Sequence, residues 1–264
     1  MFDYLQSLAS STKVLDLGSS TGSFPLTLTS AKVFRLDRDA KAPGAHSNFV
    51  QADAAALPFA SQSFEVVVAN HSFEHFDQFE KVAEEVGRIL KPNAVLFISV
   101  PDASTITDRV YRWLGRGGGH VNAFTKAGDL SDVIVRATGL PLTGMLVLHS
   151  GMSFLNRRNI AQMPRRMIAI GYGSERLLML TTYFFRHLDR CFQTRLSVYG
   201  WAYYFGSYAP PSVAAKTNVC IRCGSGHGAR HLLGANSLRR HWTRIDHYRC
   251  PSCGARNLFT NDDS

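Results

Sequence analysis

The chain has 264 residues, 45% of them apolar, enough to bury a core and to form one large domain or a medium domain with a small companion. Its formal net charge of +9 is uneven: residues 1–150 carry 13 Lys/Arg against 15 Asp/Glu, and residues 151–264 carry 16 against 5. The N-terminus lacks a basic, apolar leader and no apolar run is long and uninterrupted enough to span a bilayer, which argues against a signal peptide and a transmembrane segment and for a cytoplasmic protein.

In chain order, short apolar runs at 13–18, 32–37, 48–53, 64–70 and 94–101 read as strands, the last two continuous enough to be buried on both faces. Between those two, Phe79, Val82, Ala83, Val86, Ile89 and Leu90 recur at helical spacing until Pro92 and Asn93 stop the pattern. A glycine run at 115–119 precedes a helix over 125–138 and a strand near 142–148. Residues 155–195 are rich in Arg and large apolar groups and read as helices, and 197–206 as one more strand. Strands alternating with helices predict an α/β domain over 1–210. It is a Rossmann-like, seven-stranded, mostly parallel sheet with helices on both faces and a helical insertion before the last strand. Pro210 and Pro211 open a linker to a second, small domain over 216–260.

The first strand ends in Asp16, Gly18, Ser19, Ser20 and Gly22, an acidic residue followed by a small-residue turn. Such a turn lets backbone approach a ligand closely, and it is expected to feed a helix N-terminus with free N–H groups. Asp37 ends the second strand, where a carboxylate accepts ribose hydroxyls, and Asp53 with Ala54 ends the third, where adenine would lie.

Taken in order, VLDLGSSTG, FRLD, QADAAALPFASQSFEVVVAN and LKPNAVLFISVP resemble the motifs of class I S-adenosylmethionine-dependent methyltransferases (the type 11-like domain) across residues 10–150. The resemblance implies that Asp16, Gly18, Ser19, Ser20, Gly22, Asp37, Asp53, Ala54, Asn70 and His71 hold S-adenosylmethionine. The chain departs from the family at Ser20, where the usual loop has a glycine. Asn70-His71-Ser72-Phe73-Glu74-His75 resembles the Glu-His loop of methyltransferases acting on small molecules, those of quinone biosynthesis included. His75 is the candidate general base there, against the alternative that Glu74 and His75 cap the following helix or orient the loop. His120 falls where a substrate loop would lie.

Cys220, Cys223, Cys250 and Cys253 form two Cys-x-x-Cys knuckles, each followed by glycine. That pattern predicts a structural, tetrahedral zinc site made of four cysteines, in a zinc ribbon too small to fold without its metal. Cys191 lies outside the quartet and reads as a buried or idle thiol. Leu177, Leu180, Phe184, Leu188 and Phe192 make one helical stripe with Arg186, Arg190 and Arg195 off it. The stripe predicts either a lid packed over the substrate pocket, the preferred reading, or peripheral contact of 176–196 with the inner membrane face. The acceptor is expected to be a small molecule, a glycan or a lipid-linked compound. The alternatives are RNA bound through the basic ribbon, or a non-catalytic S-adenosylmethionine-binding scaffold. No Asn-Pro-Pro-type tetrad or basic-aromatic RNA motif supports RNA.

Overall fold

The computed structural model describes residues 1–20, 22–39, 48–115, 119–149, 174–210, 218–220, 226–227, 229–235, 237–239 and 246–259. Two compact units divide the chain. One comprises Met1–Pro101, His120–Met145 and Trp201–Ser212, and the other Asp102–Gly119, Leu146–Gly200 and Val213–Ser264.

The expected seven-stranded sheet is present. Its strands are β1 (Lys13–Leu17), β2 (Lys32–Asp37), β3 (Phe49–Gln51), β4 (Phe64–Asn70), β5 (Leu90–Pro101), β6 (Leu142–His149) and β7 (Val198–Gly206), in the order β3-β2-β1-β4-β5-β7-β6. The β3–β2, β2–β1, β1–β4 and β4–β5 pairings are parallel. The order reverses between β1 and β4, and the loops leaving the carboxyl ends of adjacent diverging strands open a crevice there. Val14, Leu15, Val66, Val67, Leu96 and Ile98 are almost wholly buried, as the continuous apolar runs of central strands require.

A short helix, α1 (Phe2–Gln6), precedes β1, and helix α2 (Phe79–Ile89) buries Val82, Ala83, Val86 and Ile89 of the stripe read from the sequence. It passes without a loop into β5, whose first residues the sequence reading assigns to a helix stop. Asn93 adopts a left-handed φ of 62°, and the β4–β5 register shifts between Phe64 and Val66. This irregularity lets Pro92 sit within the strand without removing a regular ladder bond. Helix α4 (Ala127–Thr138) starts under Asp129, whose carboxylate accepts the Thr125 and Lys126 N–H groups at 2.9 Å. It ends at Gly139, left-handed at φ 69°. A Cβ on Gly87 would lie 2.6 Å from the Ala137 carbonyl oxygen, so only glycine permits this approach of α2 to α4.

The structure departs from the sequence reading, or adds to it, at three places. After β1 the described chain holds only a 3-10 turn, Leu26–Leu28, rather than the expected helix. Pro25 and the Ser/Thr-rich SFPLTLTS stretch disfavour an α-helix in so short a crossover. A helix α3 (Ile106–Gly115) occupies a stretch with no predicted element. Helix α5 (Glu175–Phe192) does precede β7, but it does not bury the predicted stripe. Leu177, Leu180, Phe184 and Phe192 are exposed, and Phe192 reaches 71%. The buried face instead carries Leu178 and Arg186, and Arg186 donates to the Asn218 side-chain oxygen at 3.3 Å. The rest of the predicted insertion, 155–173, lies outside the described residues. No described helix is long and apolar enough to cross a membrane.

The C-terminal segment holds a two-stranded antiparallel ribbon, β8 (Asn218–Val219) with β9 (Gly226–His227), then α6 (Ala229–Gly234). A three-stranded antiparallel sheet follows: β10 (Leu238–Arg239), β11 (His247–Arg249) and β12 (Arg256–Leu258). Its core is Cys220, Leu232, Tyr248, Cys250, Ala255 and Phe259.

Candidate cofactor and acceptor site

The β1 loop is built from below. Asp16 is fully buried beneath it; its Oδ2 accepts the Ser23 N–H at 3.0 Å and lies 3.5 Å from the Arg35 guanidinium. Burial pushes the Asp16 carboxyl up to about 6, opposed by the Ser23 hydrogen bonds and by Arg35. Arg35, on β2, also donates to the Phe24 carbonyl at 2.7 Å and fills the space a side chain at Gly22 would need. The structure thus makes Asp16 a brace for the loop and gives it a partner that sequence reasoning missed. The available clue was a charged residue facing inward on an apolar strand.

Above the brace, Gly18 is left-handed at φ 65°, and a Cβ there would meet the Ser72 Cβ at 2.5 Å. The β1 loop and the loop after β4 therefore touch. Ser20, the departure from the usual glycine, also takes a positive φ, 43°, a conformation that costs an L-residue free energy. Its N–H donates to Asp37 Oδ2 at 2.7 Å, while Asp37 Oδ1 accepts from Asp39 at 3.0 Å. A carboxylate offers about four lone-pair sites. Half-exposed Asp37 thus keeps capacity for two more donors, as the pair of ribose hydroxyls requires. Asp53 is exposed and holds the Ala55 N–H at 2.9 Å, with Ala54 buried beside it. Asn70 is committed to the protein: its Oδ1 accepts from the Ser99 hydroxyl at 2.6 Å. His71 is half-exposed, left-handed at φ 54°, and donates its N–H to the Ser99 carbonyl. These donors and acceptors at the carboxyl ends of β1 to β4 fit an adenosyl ligand.

In the loop after β4, Phe73–His75 forms a 3-10 turn, and α2 begins only after Gln78. Glu74 and His75 therefore do not cap that helix. Glu74 is buried, and its Oε1 lies 3.6 Å from His71 Nδ1. The Glu74 carbonyl accepts from both Val121 and Asn122, and the Asn122 side-chain amide donates to the Phe73 and Phe76 carbonyls at 3.0 and 2.7 Å. This clamp brings His120 onto exposed His75, ring centroids 4.8 Å apart. Sequence reading named both histidines; nothing in it showed that they meet.

At the C-terminus, Cys220, Cys250 and Cys253 present sulfurs within 4.8 Å of one another. The Gly254 N–H donates to the Cys250 carbonyl with Gly254 left-handed, the tight turn expected after a knuckle. Asn257 donates to Cys220 Sγ at 3.5 Å, and His227 Nε2 lies 3.3 Å from Cys250 Sγ. Three converging cysteine sulfurs with donors behind them fit a thiolate-bound ion. Cys223 lies outside the described residues. Cys191 is exposed rather than buried, 3.7 Å from His187 Nε2.

Residues 15–98 match the model of the methyltransferase domain family. Among curated proteins, the chain is similar to the demethylmenaquinone methyltransferase of Thermus thermophilus, 33% identical over 33% of this chain and 46% of that one. It is also similar to the malonyl-[acyl-carrier protein] O-methyltransferase of Methylococcus capsulatus, 30% identical over 42% of this chain and 46% of that one. The chain thus spans less than half the length of these relatives. Among solved structures it is similar to a putative methyltransferase of Bacillus halodurans, with a TM-score of 0.53 and 18% identity over 78% of this chain and 96% of that one. At that identity the likeness establishes the fold.

Proposed function

We propose that the chain is an S-adenosylmethionine-dependent methyltransferase acting on a small-molecule acceptor. The observation that carries this reading is the β1 loop, where left-handed Gly18 and Ser20 bring backbone up beside the half-exposed Asp37 carboxylate. The methyltransferase domain match over 15–98 and the methyltransferases among its relatives support the same cofactor. When bound, S-adenosylmethionine supplies a methyl group already bonded to a good leaving group. The chain's task is then to hold the acceptor in line with it. Asp37 binds the ribose, Asp53 and Ala54 border the adenine, and Gly18 to Ser20 offer backbone to the amino-acid end. His75 and His120, side by side on the loops after β4 and before α4, face the acceptor.

The exposed stripe of α5 favours an acceptor carried on a lipid, because Leu177, Leu180, Phe184 and Phe192 form the kind of apolar face that an interfacial helix buries in a bilayer. The cysteine cluster is proposed to hold one zinc ion, with Cys223 supplying the fourth thiolate by its spacing from Cys220.

Titration calorimetry of the purified chain with S-adenosylmethionine and S-adenosylhomocysteine tests the cofactor reading. One bound ligand per chain is expected, weakened by Asp37→Ala. No heat of binding for either ligand would sink the enzyme reading. Sedimentation with anionic vesicles tests the lipid reading, and it fails if Leu180→Ser/Phe184→Ser leaves the bound fraction unchanged.

A further inference from the structure

We infer that Glu74, His75 and His120 form a second metal site, separate from the cysteine cluster, which takes a first-row divalent cation of the zinc type. One ligand atom from each residue lies within 4.8 Å of the others. Ligands sharing one ion at about 2.0–2.2 Å stand roughly 3 Å apart, so side-chain rotation must draw them in by about 1–2 Å. The site is built rather than incidental. Glu74 is only 1% exposed, and its Oε2 has no hydrogen-bond partner among the described residues, while Oε1 faces His71. A buried carboxylate oxygen without a donor carries a desolvation cost that a cation would offset. The backbone around the ligands is fixed. The Glu74 carbonyl takes both the Val121 and Asn122 N–H groups, which pins the segment bearing His120 to the turn bearing Glu74 and His75. Two imidazoles and one carboxylate suit zinc, cobalt or iron(II) better than magnesium, which prefers oxygen. A three-residue set leaves coordination positions open, as a catalytic rather than a structural ion requires.

The chemical role rests on the methyltransferase reading; the binding of the ion does not. The turn borders the β1 loop, since Ser72 backs Gly18. A hydroxyl acceptor bound to the ion there loses its proton to solvent at a lowered pKa. The oxygen then forms the new bond to the methyl carbon, the carbon–sulfur bond of S-adenosylmethionine breaks with its electron pair going to sulfur, and S-adenosylhomocysteine and the methyl ether leave. The ion makes the site selective for oxygen acceptors, and for those with a neighbouring second oxygen above all, since both can occupy its open positions.

Cobalt(II) titration of the full chain tests the inference. Thiolate ligation gives intense near-ultraviolet charge-transfer bands, and the Glu74 site gives only weak visible bands. Glu74→Gln, His75→Ala and His120→Ala are each expected to remove the weak bands and lower that affinity by at least about tenfold. The charge-transfer bands and S-adenosylhomocysteine binding should remain. If Glu74→Gln fails to fold, His120→Ala decides, because His120 lies on a loop. Equal cobalt binding by the unaltered chain and His120→Ala overturns the site, as does a loss confined to the charge-transfer bands. Cobalt binding at this site without S-adenosylhomocysteine binding leaves the metal site standing and removes the methyltransferase reading.

Discussion

The β1-to-β5 region and the C-terminal segment stay folded for different reasons. In the first, central strands bury Val14, Leu15, Val67, Leu96 and Ile98, and a buried ion pair, Asp16 with Arg35, is spent on shaping a loop. In the second, two of the six core residues are cysteines, and the strands run two or three residues each. Burial of apolar surface holds one region, and in the other so small a core suits the thiolate-bound ion proposed above. The loops of the first region can thus be altered without touching its core, whereas the core of the second is built partly from the cysteines proposed to hold a metal.

The largest expected effect tests that contrast directly. If the cysteine cluster holds zinc as proposed, chelation or Cys250→Ser should unfold the sheet of β10 to β12, since such ions contribute on the order of 10 kcal/mol. Hydrogen exchange should show Tyr248 losing protection while β1 and β4 keep theirs. Loss in both regions at once breaks the comparison. Next, Arg35→Met leaves the Asp16 carboxylate buried without its cation and should cost about 3–5 kcal/mol, read as a lower Tm. Asp16→Asn in the same chain should recover part of it.

The third concerns pH. The Asp16 carboxyl titrates near 6 in the folded chain against 3.8 when free, so the folded state holds its proton more tightly. Stability from this group is complete below about pH 4 and is lost as pH rises through about 6, by roughly 3 kcal/mol. Denaturant melts of the native chain and Asp16→Asn should differ in slope across that window; parallel curves would remove the buried carboxyl as the cause. The smallest effect is at Ser20. Glycine tolerates φ 43° without the penalty serine carries, so Ser20→Gly should gain up to about 1 kcal/mol and tighten S-adenosylhomocysteine binding modestly. Weaker binding would assign the hydroxyl a contact of its own.

The strands that carry the site were legible because parallel central strands are apolar on both faces, and FEVVVAN and AVLFISVP admit little else. The helix after β1 was not, because the expectation came from what such units usually contain, whereas Pro25 and its Ser/Thr neighbours set the local outcome. Positions such as Asp37 and Gly18 could be named from their places at strand ends. The partners of Arg35 and Glu74 could not, since a buried ion pair and a two-histidine cluster depend on which strands become neighbours. The α5 stripe left its cover open for a related reason. Periodicity identifies an apolar face without saying what covers it, and here Arg186 with Leu178 lies on the covered side.

The Glu74–Asn122 clamp also bears on the order in which the chain folds. The Ser23–Asp16 bond under the cofactor loop closes over 7 residues, whereas the Asn122–Phe73 bond closes over 49 and has to wait for β5 and the chain between. Loop-closure entropy rises with that span. In pulse-labelled refolding, the Ser23 amide should therefore become protected before the Asn122 backbone amide, which the Glu74 carbonyl of the same clamp holds, so that the β1 loop is braced first and the turn after β4 last.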